Sequence, residues 1–331
     1  MIRGPAAAVL ALLAFVAGHA TAAEAGAADV PVLDGERLSV SGISSGGYMA
    51  GQLHLAHSGA IRRVGIVAAG PYDCARGSMA RALSLCANGD GLSAEPSLSR
   101  AAEHADAGRI DPLERLGAAR VWLFHGELDN VVAAPVVAAA RDFYRNWLPE
   151  SSLRFVDDVR TVHGMPTLAS GAPCGQMAEP WLNACGYDAA GAMFAHLLDG
   201  EPARGRGDGR LLRLGQSAHA GAGFDESAFL YVPKACTADA DCGLHVALHG
   251  CRQGAEFVGA AFAADAGYNE WADAYRVAVL YPQIAASAVA PMNPLGCWDW
   301  WGYTGEDYAT RDGAQVRALK QMIDELTAPP R

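Results

Sequence analysis

Short apolar runs recur along this chain, and each gives way to a polar, glycine-bearing turn. Arg37-Leu38-Ser39-Val40-Ser41 alternates polar and apolar positions with the two-residue period of a strand. Val64-Gly65-Ile66-Val67-Ala68, Val121-Trp122-Leu123-Phe124 and Leu153-Arg154-Phe155-Val156 read as further strands, the first two short and buried. Later runs repeat the signal: Ala228-Phe229-Leu230-Tyr231-Val232, Leu244-His245-Val246-Ala247-Leu248 and Val277-Ala278-Val279-Leu280-Tyr281. Helix-compatible stretches fall between them, from Tyr48 to His57 and over residues 189–198. The chain closes on an amphipathic helix from Asp312 to Leu326. Asp312 is placed to cap it, and Val316, Leu319, Ile323 and Leu326 share one face. Strands alternating with helices predict an α/β fold with a mostly parallel central sheet flanked by helices. The one obvious linker spans about residues 200–210, rich in Gly, Arg and Asp. No internal repeat interrupts the pattern.

The 331 residues are 51% hydrophobic and only 18% charged, enough for a large core. A single domain over residues 24–331 is expected. Residues 1–23 read as a signal peptide: Arg3 is the charged start, residues 6–16 are apolar, and the small residues that follow allow cleavage after Ala22 or Ala23. That apolar run is too short for a membrane anchor, and no later stretch looks like a membrane span. The expected location is therefore secreted, extracellular or periplasmic. The formal charge of −11, with no Lys/Arg run, gives nucleic-acid binding no support. Eight cysteines suit an oxidising compartment. Proximity and elimination suggest Cys74–Cys86, Cys174–Cys185, Cys236–Cys242 and Cys251–Cys297, although sequence alone leaves the connectivity open. Without a C-x-x-C or an ordered Cys/His spacing, no metal is expected. The sequence is silent on oligomeric state.

The chemistry starts at Gly42-Ile43-Ser44-Ser45-Gly46. This G-x-S-x-G stands between a strand and a helix, the context of a nucleophile elbow. A serine nucleophile needs a base, an orienting acid and oxyanion donors. Asp129, in His125-Gly126-Glu127-Leu128-Asp129-Asn130, and His163, in Thr161-Val162-His163-Gly164-Met165-Pro166, each follow a strand and keep the order Ser, Asp, His. Asp129 taken alone is an ordinary loop carboxylate; Asp157 and Asp158 are rival acids within a strand. His125 and His249 precede glycines at strand ends and read as structural, and His54 and His57 as core or solvent-facing. The oxyanion donors are expected to be the backbone N–H groups of Ser45 and Cys251, the latter in Leu248-His249-Gly250-Cys251. In an ordinary α/β-hydrolase such a loop precedes the nucleophile; here it follows the whole triad. A circular permutation explains this: the chain opens just before the nucleophile strand, and the 200–210 linker closes the former ends.

These motifs carry a family resemblance. Ser41-Gly42-Ile43-Ser44-Ser45-Gly46-Gly47-Tyr48-Met49, Val162-His163-Gly164-Met165-Pro166-Thr167, Leu230-Tyr231-Val232-Pro233, His245-Val246-Ala247-Leu248-His249-Gly250-Cys251, Gly267-Tyr268-Asn269, Leu280-Tyr281-Pro282-Gln283 and Asn293-Pro294-Leu295-Gly296-Cys297-Trp298-Asp299-Trp300 together resemble the secreted poly(3-hydroxybutyrate) depolymerases, whose catalytic domain is a circularly permuted α/β-hydrolase. The resemblance implies a carboxylic-ester hydrolase acting on the polyester or its oligomers, with Ser44, Asp129 and His163 as triad and Ser45 and Cys251 as oxyanion donors. No cofactor is needed for such chemistry. Trp298, Trp301 and Tyr303 are the aromatic candidates for the substrate cleft, Trp301 foremost, by analogy. A feruloyl or acetyl-polysaccharide esterase is the alternative sharing this machinery. Unlike many such depolymerases, the sequence shows no separate polymer-binding domain after Leu326.

Overall fold

The computed structural model describes residues 23–24, 30–237 and 241–328. The expected leader lies outside these residues, save for the backbone of Ala23. A two-residue edge strand, β1 (Ala23–Glu24), precedes four strands that lie side by side in parallel: β2 (Asp34–Ile43), β3 (Arg63–Val67), β4 (Arg120–Gly126) and β5 (Leu153–Val159). Three short strands, β6 (Met165–Thr167), β7 (Ala172–Pro173) and β8 (Leu182–Ala184), make a small separate sheet. Then β9 (Arg210–Gly215), β10 (Ser227–Val232), β11 (Gly243–Leu248) and β12 (Val277–Tyr281) complete the large one, in the order β1-β9-β10-β12-β11-β2-β3-β4-β5. The neighbours from β12 to β5 all run parallel, and β10 is antiparallel to both β9 and β12.

The helices are α1 (Ser45–Ala56), α2 (Met79–Leu83), α3 (Leu85–Asn88), α4 (Glu95–Asp106), α5 (Ala134–Tyr144), α6 (Ala189–Leu197), α7 (Ala255–Val258), α8 (Ala261–Asp265), α9 (Tyr268–Tyr275) and α10 (Ala314–Thr327). With helices packed over the sheet, the central strands are covered on both faces. Leu38 through Ile43 and all of β11 and β12 are buried, including Ser39, Ser41 and Gly42. That is how a central parallel strand differs from the half-exposed β5 at the sheet edge.

The topology carries the permutation. The start of β2 and the end of α10 meet in space: Leu33 N–H donates to Leu326 O at 2.9 Å, so α10 delivers the chain to the start of β2. Joined there and opened at residues 200–209, the chain would run β9 to β12, through α10, into β2 and on to β5, the succession of an ordinary α/β-hydrolase. The segment 200–209 is held along α9: Gly205 N–H donates to Glu270 O (2.9 Å), Gly207 N–H to Asp273 Oδ2 (2.9 Å), and Arg204 pairs with Glu270 at 2.7 Å.

One detail of the expected elements differs. Asp312 does not cap α10: the helix begins at Ala314 behind Gly313, with no side-chain cap. The chain turns at Gly313, where a Cβ would meet Tyr308 O at 2.6 Å, leaving Asp312 one residue too early. Instead, the Asp312 carbonyl accepts from Arg317 at 2.9 Å.

Candidate active site

Ser44 sits between the last residue of β2 and the first of α1, in a backbone conformation (φ 57°, ψ −122°) that non-glycine residues rarely adopt. Its neighbours explain how the turn closes. A Cβ on Gly42 would lie 2.1 Å from Gly46 O, and one on Gly46 would lie 2.4 Å from both Leu248 O and His249 O. Only glycine permits these approaches. Ser44 N–H donates to Val67 O on β3 at 2.9 Å, and Ser44 O accepts from Tyr48 at 3.0 Å. Ser45 N–H, at the first turn of α1, has no acceptor within the helix.

Asp129 follows β4 and His163 follows β5. The two loops are tied together: Glu127 N–H donates to Val159 O (2.8 Å) and Leu128 N–H to Thr161 O (3.0 Å). The buried Asp129 carboxylate divides its work. Oδ1 accepts from the amides of Val131 (2.9 Å) and Val132 (3.0 Å), and Oδ2 accepts from His163 Nδ1 at 2.8 Å. Burial pushes the carboxyl pKa up, but the His163 hydrogen bond and the two amides outweigh it and hold it below the usual value. An ionised carboxylate only accepts, so the Nδ1 proton stays on His163 and Nε2 of the neutral ring keeps a lone pair. Asp157 and Asp158 are exposed on the edge strand. The disulfide Cys174–Cys185 braces this corner, with Val162 N–H donating to Cys174 O at 3.3 Å.

The loop after β11 completes the group. Gly250 lies against the nucleophile turn, where its Cβ would be 3.4 Å from Ser44 Cβ. Its own N–H is taken by Gln253 Oε1 at 2.8 Å, which leaves Cys251 as the next amide of the loop. Gln253 Nε2 reaches Trp181 O at 3.1 Å, and Cys251–Cys297 ties the loop to the tryptophan-rich segment. Cys74–Cys86 and Cys236–Cys242 are also bonded.

Ser44, Ser45, His163, Gly250 and Cys251 all line one cavity of about 500 Å³. Its walls are apolar: Tyr48, Val132, Trp181, Trp300 and Trp301 lie within, and Met79, Leu83, Val131, Met177, Met292 and Leu295 line it while exposed to solvent. Trp301 is therefore a wall residue. Trp298 is not: it is fully buried, 5.5 Å from the Phe224 ring and 5.6 Å from that of His249. Tyr303 does not line the cavity either. Its hydroxyl donates to Cys297 O (2.8 Å) and accepts from Gln315 (2.8 Å), and its ring packs on Trp301 at 4.9 Å. Trp300, stacked on Tyr48 at 4.7 Å, takes the wall position. Which tryptophan of the run turns outward depends on the Asp299 turn described below, and Trp181 carries no local signal of its role.

A serine–histidine contact also occurs in the core, apart from this site. His245 on β11 lies 2.7 Å from Ser39 Oγ and 2.8 Å from Ser41 Oγ, with Tyr268 beyond at 3.0 Å from Ser41. Ser39, Ser41 and His245 are fully buried, and both ring nitrogens are engaged. Among the described residues no carboxylate hydrogen-bonds the ring, whose two nitrogens meet serine hydroxyls, and the group is fully buried, so it is a core network. His54 and His249 are likewise buried, and His125 contacts Val132 O at 3.2 Å. Among the described residues no cluster of potential metal ligands occurs, and no helix is long and apolar enough to cross a membrane.

No protein-family model matches the chain. It is 36% identical to the poly(3-hydroxybutyrate) depolymerase of Delftia acidovorans over 91% of its own length, spanning 62% of that relative. It is 33% identical to the polyhydroxybutyrate depolymerase of Talaromyces funiculosus, over 88% of this chain and 89% of that one. Among solved structures, a PHB depolymerase variant complexed with an R3HB trimer superposes with a TM-score of 0.84, at 30% identity over 90% of this chain and 98% of the other. The crystal structure of the PHB depolymerase from Penicillium funiculosum gives 0.83 at the same identity and coverage. Likeness of this extent, in sequence and in fold together, places the chain in the poly(3-hydroxybutyrate) depolymerase family.

Proposed function

We propose that this protein is an exported serine esterase that cleaves the ester bonds of poly(3-hydroxybutyrate) or its short oligomers. The observation that carries the reading is the convergence of Ser44, His163 and the Cys251 loop on one apolar cavity, with Asp129 holding the histidine from behind. An aliphatic polyester has no charge to recognise and much apolar surface to bury, which matches these walls. The six exposed hydrophobic side chains at the cavity suit an insoluble or oligomeric apolar substrate better than a sugar ester.

In this reading Ser44 Oγ attacks the ester carbonyl and His163 Nε2 takes its proton. Ser45 and Cys251 N–H groups receive the oxyanion, which forms where the α1 N-terminus also favours negative charge. His163 returns the proton to the leaving alcohol. Water, activated by the same ring, then releases the acid from the acyl-enzyme. Asp129 fixes the tautomer and stabilises the imidazolium. The four disulfides support export to an oxidising compartment.

The test is hydrolysis of amorphous poly(3-hydroxybutyrate) and of the soluble trimer by the mature protein beside Ser44→Ala. The expected result is 3-hydroxybutyrate release that falls by roughly 10⁵-fold or more in the variant, without loss of fold. Cleavage of a p-nitrophenyl ester with neither polyester touched would keep the mechanism and sink the substrate, in favour of another exported carboxylesterase.

A further inference from the structure

We propose that Arg252 binds the free carboxylate at the acid end of a hydroxyacid oligoester, so that the enzyme favours chain ends over chain interiors. This rests on the polyester reading above. Among the residues lining the cavity, Arg252 is the one side chain that carries a permanent charge. The interior of an aliphatic polyester offers a cation nothing to pair with. Its acid terminus, ionised at neutral pH, does.

The position is also right. Arg252 is two residues beyond Gly250, which abuts Ser44. Two Cα steps span at most about 7.6 Å, so a carboxylate held there lies within a short oligomer's reach of the serine.

The residue is fixed in place. Arg252 is one of few non-glycine residues with positive φ (58°), and Trp181, across the same wall, is another (62°). The two hold each other. Trp181 Nε1 donates to Arg252 O at 3.1 Å, and the guanidinium lies over the Trp181 ring at 5.1 Å. Arg252 N–H donates to Leu295 O at 2.7 Å. Such strain persists where surrounding contacts over-determine the backbone, as they do here. A guanidinium carries five N–H donors in a fork matched to a carboxylate. Glu179 Oε1 takes Nη2 at 2.8 Å, in a half-exposed pair. Glu179 thus competes with a substrate carboxylate and sets how strongly it is held. On a protein of net charge −11, a positioned cation is what admits an anionic chain end.

A clamp between the two loops is the rival role for the same pair, and the experiment separates them. The readout is the ratio of kcat/KM for the 3-hydroxybutyrate trimer as free acid over its methyl ester, in which a partial loss of active protein cancels. The wild-type ratio is expected at about five or more at low ionic strength, falling towards one in high salt. Arg252→Gln should bring it to about one, Arg252→Lys should retain part of it, and Glu179→Gln should raise it. A clamp predicts that Arg252→Gln and Glu179→Gln both lower activity on both substrates and leave the ratio unmoved, which overturns the proposal. A wild-type ratio of one also overturns it, with the polyester reading intact. If neither trimer form is cleaved while p-nitrophenyl butyrate is, the polyester reading falls and takes this proposal with it.

Discussion

The groups proposed to do chemistry and the groups that shape the cavity are built differently. Ser44, Asp129, His163 and Cys251 stand within four residues of the ends of β2, β4, β5 and β11, in one parallel sheet. Their placement follows from strands buried on both faces, and the loops that carry them are tied together by backbone hydrogen bonds and close packing. Most of the walls come from elsewhere: α2 and α3, the 176–181 loop, and the 292–301 loop, with Tyr48 of α1 and Val131 and Val132 of the Asp129 loop the exceptions. These are held to the frame by disulfides and by a few buried polar side chains. A sheet fixes geometry to fractions of an ångström, as a reaction requires. Loops on staples can be reshaped without moving it, which suits substrate selection.

The largest effect should come from the frame. Asp129→Asn keeps the volume and the Oδ1 acceptor for Val131 and Val132, but puts an amide where His163 Nδ1–H now donates. The ring then favours the wrong tautomer. A kcat lower by roughly 10⁴, with KM and melting temperature little changed, is expected. A loss confined to KM would mean that Asp129 only shapes the loop and that the acid lies elsewhere.

The same division governed what could be read from sequence. Strand runs and G-x-S-x-G are local signals, so the sheet, the elbow and the α/β class were legible, as was the misplaced loop at Cys251 that betrays the permutation. The strand-end positions of Asp129 and His163 were legible too, and the structure sets them 2.8 Å apart. The walls were not. Trp298, Trp300, Trp301 and Tyr303 look alike in sequence, and their fates are decided by long-range partners: Trp298 N–H reaches Ser45 Oγ at 3.3 Å, and Tyr303 meets Gln315. Trp181 and Leu83 reach the cavity from segments with no periodic pattern towards it.

Asp299 is where the walls can be loosened without touching the frame. The side chain is fully buried, and its carboxylate accepts from Gly302 N–H (2.7 Å), Tyr303 N–H (2.9 Å), Thr304 N–H (2.8 Å) and Thr304 Oγ (2.6 Å). It forms the inside of the turn that presents Trp300 and Trp301. Gln52 on α1 donates to its carbonyl at 2.9 Å. Asp299→Asn faces two of these donors with an NH₂ group. A stability loss of about 1–3 kcal/mol is expected, with a several-fold higher KM for the trimer and a much smaller change in kcat. An equal fall in kcat on trimer and small ester would show that wall and frame are mechanically one.

Near neutral pH the smallest effect is a titration within the frame, which grows only as the solution is acidified. His54 on α1 and His245 on β11 are fully buried, and loss of hydration pushes both pKa values down to about 3. The unfolded chain protonates histidine near 6.5. Between these values the unfolded state binds more protons than the folded one, so stability is complete above about pH 7 and falls as pH drops towards 4. Each histidine contributes a slope of about 1.4 kcal/mol per pH unit within that window. His54 tests this most cleanly. Its Nδ1 meets Tyr144 at 3.0 Å, whereas its buried Nε2 has no hydrogen-bond partner among the described residues. His54→Phe removes the titrating group at the cost of one buried hydrogen bond. Urea unfolding from pH 8 to 4.5 should show a stability lower by a constant amount at high pH and a shallower decline below pH 6. A parallel decline in the two proteins would place the acid sensitivity outside the elbow helix.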